Sequence, residues 1–226
     1  MKSQIATLLP IERSSVEERT AEALREQIVS GALAEGTPLV QRDLAQRLGV
    51  SQTPVRLALI ELGRLGLVEV SETGRAAVSR LTREDLEEIY AARLGLEGLA
   101  ARVGAAAVGP EELARMRGLL RELETLARAE DVDGYLRARW AFHATCYEAS
   151  GRSRLVAEVE RLYWRAERYN RLVLSSRERF RRSVAHYRRF YAACRAGDAR
   201  EAERVIHEST RWAVDQISKT LPTELG

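Results

Sequence analysis

Apolar and polar positions alternate in a telling way between Leu44 and Leu67. Leu44, Ala45 and Leu48 fall at i, i+1 and i+4, the apolar stripe of a short helix. Gly49 follows, a residue that ends a helix cheaply in the left-handed conformation. Ser51 can cap the next helix, and Pro54 sits in its first turn, where a missing N–H costs little. Val55, Ala58, Leu59 and Leu62 then carry an inner face. Gln52, Thr53, Arg56 and Arg64 are left outside, with the polar side chains crowded at the N-terminal end. A helix-turn-helix presents its recognition helix to the DNA major groove in this way, tip first. The plain alternative is a helical hairpin whose polar residues simply face water.

The same periodicity organises the flanks. Residues 1–13 read as an arm, and Ser14 or Ser15 followed by Glu17 and Glu18 marks a helix start. Val16, Thr20, Ala23, Leu24, Ile28 and Val29 recur at helical spacing until Gly31. The connection from Gly31 to Leu39, with Gly36 and Pro38, reads as turn rather than strand or helix. Beyond Leu67, two short strands around Leu67–Val70 and Ala77–Val78 flank a Thr73-Gly74 break, the pattern of a wing. Gly74 at its tip permits close approach to a minor groove, and Arg75 beside it supplies positive charge. From Thr82 onward strand-like alternation disappears and long helical patterns take over, broken at Gly109-Pro110, Asp131–Asp133, Ser150-Gly151, Ser175-Ser176 and Gly197-Asp198. The expectation is a mainly α chain: an N-terminal winged helix-turn-helix over 14–80 and an all-α bundle of about six helices over 81–221.

Charge changes this picture only a little. The chain has 226 residues and a formal net charge of +3, yet through Arg80 ten Lys/Arg balance ten Asp/Glu. Attraction to phosphate must come from where charges sit rather than from their sum. Eleven arginines crowd between Arg161 and Arg195, without the glycine-rich or aromatic-interleaved pattern of an RNA surface, and read as solvated helix faces. Two unpaired cysteines, Cys146 and Cys194, fit a reduced cytoplasmic protein. No apolar run reaches the roughly 18 residues of a membrane span.

With these residues laid out, the chain resembles the GntR superfamily of bacterial transcription regulators. Ala23-Leu24-Arg25, Leu48-Gly49-Val50-Ser51, Thr53-Pro54-Val55-Arg56, Ala58-Leu59 and Gly66-Leu67-Val68 carry the likeness. The second half is similar to the FCD domain of the fatty-acid-regulator-like branch, through Arg93–Glu97, Phe142-His143, Ser150-Gly151, His186, Gly197-Asp198 and His207. The resemblance implies a homodimer on a short palindromic operator, with Arg42, Gln52, Thr53, Arg56 and Gly74 at the positions that contact DNA. Relatives usually carry Arg where this chain has Gln52, and Glu where it has Leu57. Arg pairs bidentately with guanine and Gln with adenine, so the expected operator departs from the common half-site at that base.

The resemblance also places the chain's three histidines, His143, His186 and His207, where the FCD family supplies imidazoles to a divalent metal such as zinc or nickel. The fourth family ligand, an Asp one turn before the Phe-His pair, is Arg139 here. A guanidinium cannot ligate a cation and its charge opposes one. Two arrangements follow: three histidines hold a metal beside Arg139, or the metal is lost and Arg139 forms an anion pocket with Arg93, a family position for effector carboxylates. Both imply an organic-acid effector. The function expected is a one-component transcription regulator acting as a repressor. A three-histidine metalloenzyme of the bundle and a dimeric adaptor that does not bind DNA are the rival readings.

Overall fold

The computed structural model describes residues 16–71, 74–173 and 177–219. The arm over 1–13, the helix start at Ser14 or Ser15, Thr73, the Ser175-Ser176 break and the tail past 219 lie outside the described residues. Helix α1 (Val16–Val29) ends ahead of Gly31, which has a φ of 80°. Helices α2 (Gln41–Leu48) and α3 (Gln52–Arg64) follow, joined through Gly49 at φ 66°. In the left-handed conformation the Gly49 N–H reaches back to the Ala45 and Gln46 carbonyls, a bond pattern that closes the first helix without a Cβ penalty. Leu24 and Ile28 of α1 meet Val55, Ala58, Leu59 and Leu62 of α3 in one dry core, which Leu39, Leu67 and Val78 complete.

Strands β1 (Val68–Val70) and β2 (Ala76–Val78) pair antiparallel, Val68 opposite Val78 and Val70 opposite Ala76. Gly74 closes the hairpin at φ 77°, its N–H on the Ser71 carbonyl at 2.8 Å. One expectation needs correction here. The connection read as turn contributes extended backbone to the free edge of β2: Pro38 bridges Ala77, Leu39 N–H donates to Ala76 at 2.8 Å, and Val78 N–H donates to Thr37 at 3.0 Å. Proline tolerates such a place because at a sheet edge its missing N–H is not needed. Three residues are too few to show an alternation.

The bundle comprises six helices among the described residues: α4 (Arg83–Ala105), α5 (Pro110–Ala129), α6 (Val132–Glu148), α7 (Ser153–Val173), α8 (Arg177–Ala196) and α9 (Ala199–Ser218). Three of these helices start on short polar side chains. Thr82 Oγ1 accepts from Asp85 N–H, Asp131 from Gly134 N–H and Asp198 from Glu201 N–H, each satisfying a first-turn donor. Helix α4 lies between α7 and α9, with α6 behind it; α5 lies on α6 and α8. An aromatic layer of Tyr135, Phe142, Tyr147, Phe180 and Phe190 fills the centre of the bundle. Among the described residues no helix is long and apolar enough to cross a membrane.

Candidate functional site

The tip of α3 is presented outward. Gln52, Thr53 and Arg56 are exposed, while Val55, Ala58, Leu59 and Leu62 are buried beneath them. Ser51 takes the cap position with extended backbone, but its side chain makes no capping bond. Ser51 thus leaves the first-turn N–H groups of α3 without a cap at the positive end of the helix dipole, which suits a phosphate oxygen. Arg42 at the start of α2 is extended into solvent, 80% exposed, with Asp43 at 3.4 Å. Gly74 and Arg75 stand exposed at the wing tip. Leu57 is 42% exposed on the outer face of α3 and Ile60 44%, so the bundle of the same chain does not cover that face.

Inside the bundle, polar side chains link into one chain across three helices. Arg93 and Glu97 of α4 form a buried ion pair at 2.9 Å. Tyr147 of α6 donates to Glu97 at 3.3 Å and its hydroxyl lies 3.3 Å from His143 Nδ1. Tyr187 of α8 lies 3.2 Å from His143 Nε2, and Arg139 Nε donates to the same hydroxyl at 2.7 Å. Burial, then the charges of Arg139 and Arg93, hold the His143 imidazole well below its ordinary range, so it is neutral at pH 7. Arg139 has no carboxylate within ion-pair reach among the described residues, whereas Arg93 is already neutralised by Glu97. Arg93 is thus already paired with Glu97, while its guanidinium and that of Arg139 both lie near the Tyr163 ring, at 5.7 and 6.0 Å. The i, i+4 spacing of Arg93 and Glu97 held that signal.

The three histidines do not assemble into a ligand set. His143 has a tyrosine hydroxyl on each ring nitrogen. His207 turns its Nε2 to the Leu94 carbonyl at 2.9 Å, in space left by Gly98, where a Cβ would strike the imidazole. His186 stacks edge-on to Trp212 with its Nδ1 buried and unpartnered. His143 and His186 share one narrow crevice of about 10 Å³, room for a single water, which His207 does not line. Among the described residues no three His, Cys, Asp or Glu side chains are grouped so as to hold a metal ion. With Arg139 beside His143, these residues do not fit a zinc or nickel centre. Cys146 is core: its Sγ lies 3.6 Å from that of Cys194, both thiols reduced and buried.

Residues that the sequence reading passed over hold the two domains together. Arg165, Arg168 and Arg171, three apart on α7 within the arginine run read as solvated, each grip a different part of the head or its joint. Arg165 packs against Gly66 just past α3 and pairs with Asp85. Arg168 donates to Ser79 O at 2.8 Å and to Ser79 Oγ at 2.9 Å. Arg171 donates to the Val29 carbonyl that ends α1, at 2.8 Å, and pairs with Asp133. Arg25 of α1 lies over the Trp164 ring of α7 at 4.1 Å.

Comparison with known proteins gives this architecture its class. Residues 16–78 match the family of bacterial regulatory proteins, gntR family, and residues 88–211 match the FCD domain. The chain therefore belongs to the GntR family of transcription regulators with an FCD domain, a family of regulators rather than enzymes. It is 30% identical over 142 residues to the HTH-type transcriptional regulator McbR of Escherichia coli, covering 63% of this chain and 64% of that protein. It is 31% identical over 151 residues to a probable D-xylose utilization operon transcriptional repressor of Paenarthrobacter nicotinovorans, covering 67% of this chain and 66% of the relative. The matched segments thus fall just short of two thirds of either relative's length. The solved structure of E. coli McbR/YncC shares the fold, with a TM-score of 0.82 at 24% identity over 92% of this chain and 99% of that one.

Proposed function

We propose that the chain is a repressor that binds a palindromic operator as a homodimer and releases or rearranges it when an organic acid enters the bundle. The single observation that carries this reading is the α3 tip: Gln52, Thr53 and Arg56 stand clear of the fold beside a wing ending in Gly74 and Arg75. Side chains at that tip reach base edges, while the uncapped first turn and the exposed Arg42 and Arg75 take phosphates.

For the effector, Arg139 supplies the anchor. It is a half-buried cation of the bundle without a carboxylate partner among the described residues, and its Nε already orients on Tyr187. A guanidinium fork suits a carboxylate, and the Tyr187 hydroxyl to which Arg139 already donates lies beside it. No metal is required in this scheme, in keeping with the poor fit of the histidines to one. Selection of bound duplexes from a random pool, repeated with a panel of organic acids, tests the reading. Enrichment of an inverted repeat that one acid class weakens is expected; no enriched sequence in any condition would overturn it.

A further inference from the structure

A second cavity, of about 190 Å³, opens between α1 of the head and α6 and α7 of the bundle. It shares no lining residue with the crevice beside His143 and His186. One wall is Glu167 of α7, a fully buried carboxylate. Its Oε2 accepts from Asn170 Nδ2 at 3.3 Å, and its Oε1 is buried with no partner. The neighbouring donors are committed elsewhere: Arg171 to Val29 and Asp133, Arg139 to Tyr187, and Arg93 to Glu97. A buried acceptor left unmet is costly, and a donor delivered from the cavity would relieve it.

The rest of the lining narrows the chemistry of that donor. Leu136 and Trp164 give an apolar wall, and Glu26 adds a carboxylate from the head side. Among the described residues the lining holds four carboxylates and three guanidiniums; Arg25 is taken by Glu22 and Arg171 by Asp133, which leaves Glu26 and Glu167 against Arg137 alone. The volume lies below the roughly 300 Å³ at which sites for larger organic ligands begin, so the occupant is small. We propose that this seam is a binding site for a short aliphatic amine, its ammonium donating to Glu167 Oε1 and its alkyl body lying on Leu136 and Trp164. A diamine places its second ammonium near Glu26. Such a ligand touches α1 and α7 together and so biases how the head sits on the bundle. That consequence rests on the repressor reading; the site itself does not.

Calorimetry on the full chain with 1,4-diaminobutane and n-butylamine, with butanoate as the anionic control, decides the matter. Burial pushes the Glu167 carboxyl up to about 7, against Arg139 of α6, Arg93 of α4 and Arg171 of α7, with Arg137 and Asp133 of α6 and Arg25, Glu22 and Glu26 of α1 lining the same cavity. An ammonium beside it favours the ionised form, so amine binding at pH 6.5 releases a proton, visible as a buffer-dependent heat. Expected are saturable binding of both amines but not butanoate, proton release, and at least tenfold weaker binding by Glu167→Gln. Glu26→Gln, on the exposed face of α1, weakens the diamine more than the monoamine and serves if Glu167→Gln fails to fold. No saturable amine binding, equal binding of butanoate, or unchanged affinity in both variants would overturn the site. Operator binding by the same preparations is read separately: its loss with amine binding intact defeats the repressor reading and spares the site.

Discussion

Gln52 and Glu167 show how much a single position decides. Gln52 stands at the exposed front of α3, where an amide matches adenine and a guanidinium matches guanine, a difference worth about 1–3 kcal/mol per base pair. Gln52→Arg is therefore expected to move base preference toward guanine at one position of each half-site; unchanged selection from a randomised pool would refute the contact. Glu167 acts on stability. Its carboxyl rises from 4.5 to about 7 on folding, so its contribution is intact below pH 4.5 and is lost as pH climbs through 7. Removing that buried charge stabilises the fold at pH 8 by about 3 kcal/mol at most, and by almost nothing at pH 4.5. Glu167→Gln should accordingly melt above wild type at pH 8 and level with it at pH 4.5. The α3 tip was legible in the sequence because glycine, proline and a 3.6-residue period are local signals. Tyr147 and Tyr187, which flank His143, were not, because a tyrosine at a core spacing gives no hint of which hydroxyl it will meet.

At the scale of elements, close approach and anchoring set the bundle. Helices α4 and α6 meet at Gly104, where a Cβ would strike the Cys146 backbone carbonyl, an atom that cannot swing aside. Gly104→Ala is expected to cost about 1–3 kcal/mol in urea unfolding, despite alanine's better helix propensity. Gly118 in α5 has open space at the same point, so Gly118→Ala should gain about 0.5–1 kcal/mol. Helix α7 holds the head through Arg165, Arg168 and Arg171. Arg168→Ala strips two bonds from Ser79 and should lower stability by about 1–3 kcal/mol while speeding proteolysis across residues 79–82. The helices themselves could be read from their caps at Thr82, Asp131 and Asp198. The destination of α7's arginines could not, since a charged face pointing at water and one pointing at a neighbouring domain look alike along the chain.

For the whole molecule, the balance of ten basic and ten acidic residues through Arg80 means that operator affinity depends on a few placed charges. Arg42 and Arg75 are exposed on each head, so a dimer would displace counterions from about four phosphates, for a log–log salt slope near −4. Arg75→Ala should flatten that slope by about 2, through one lost contact per wing, and weaken all operators alike. A slope unchanged by this substitution would remove the wing from the DNA.

The three grips on the head are spaced along seven residues of one helix, about 9 Å of its axis. A footing that short, beneath a domain whose working edge lies at its far side, behaves as a lever with its fulcrum at α7. In the proposed homodimer, small tilts of this one helix would become larger excursions at the recognition tip, and two such tips would have to land a full helical turn of DNA apart. On the proposed repressor reading, registration between the half-sites would then be lost long before either head unfolds, so that a molecule of a few carbons would suffice to silence the contact.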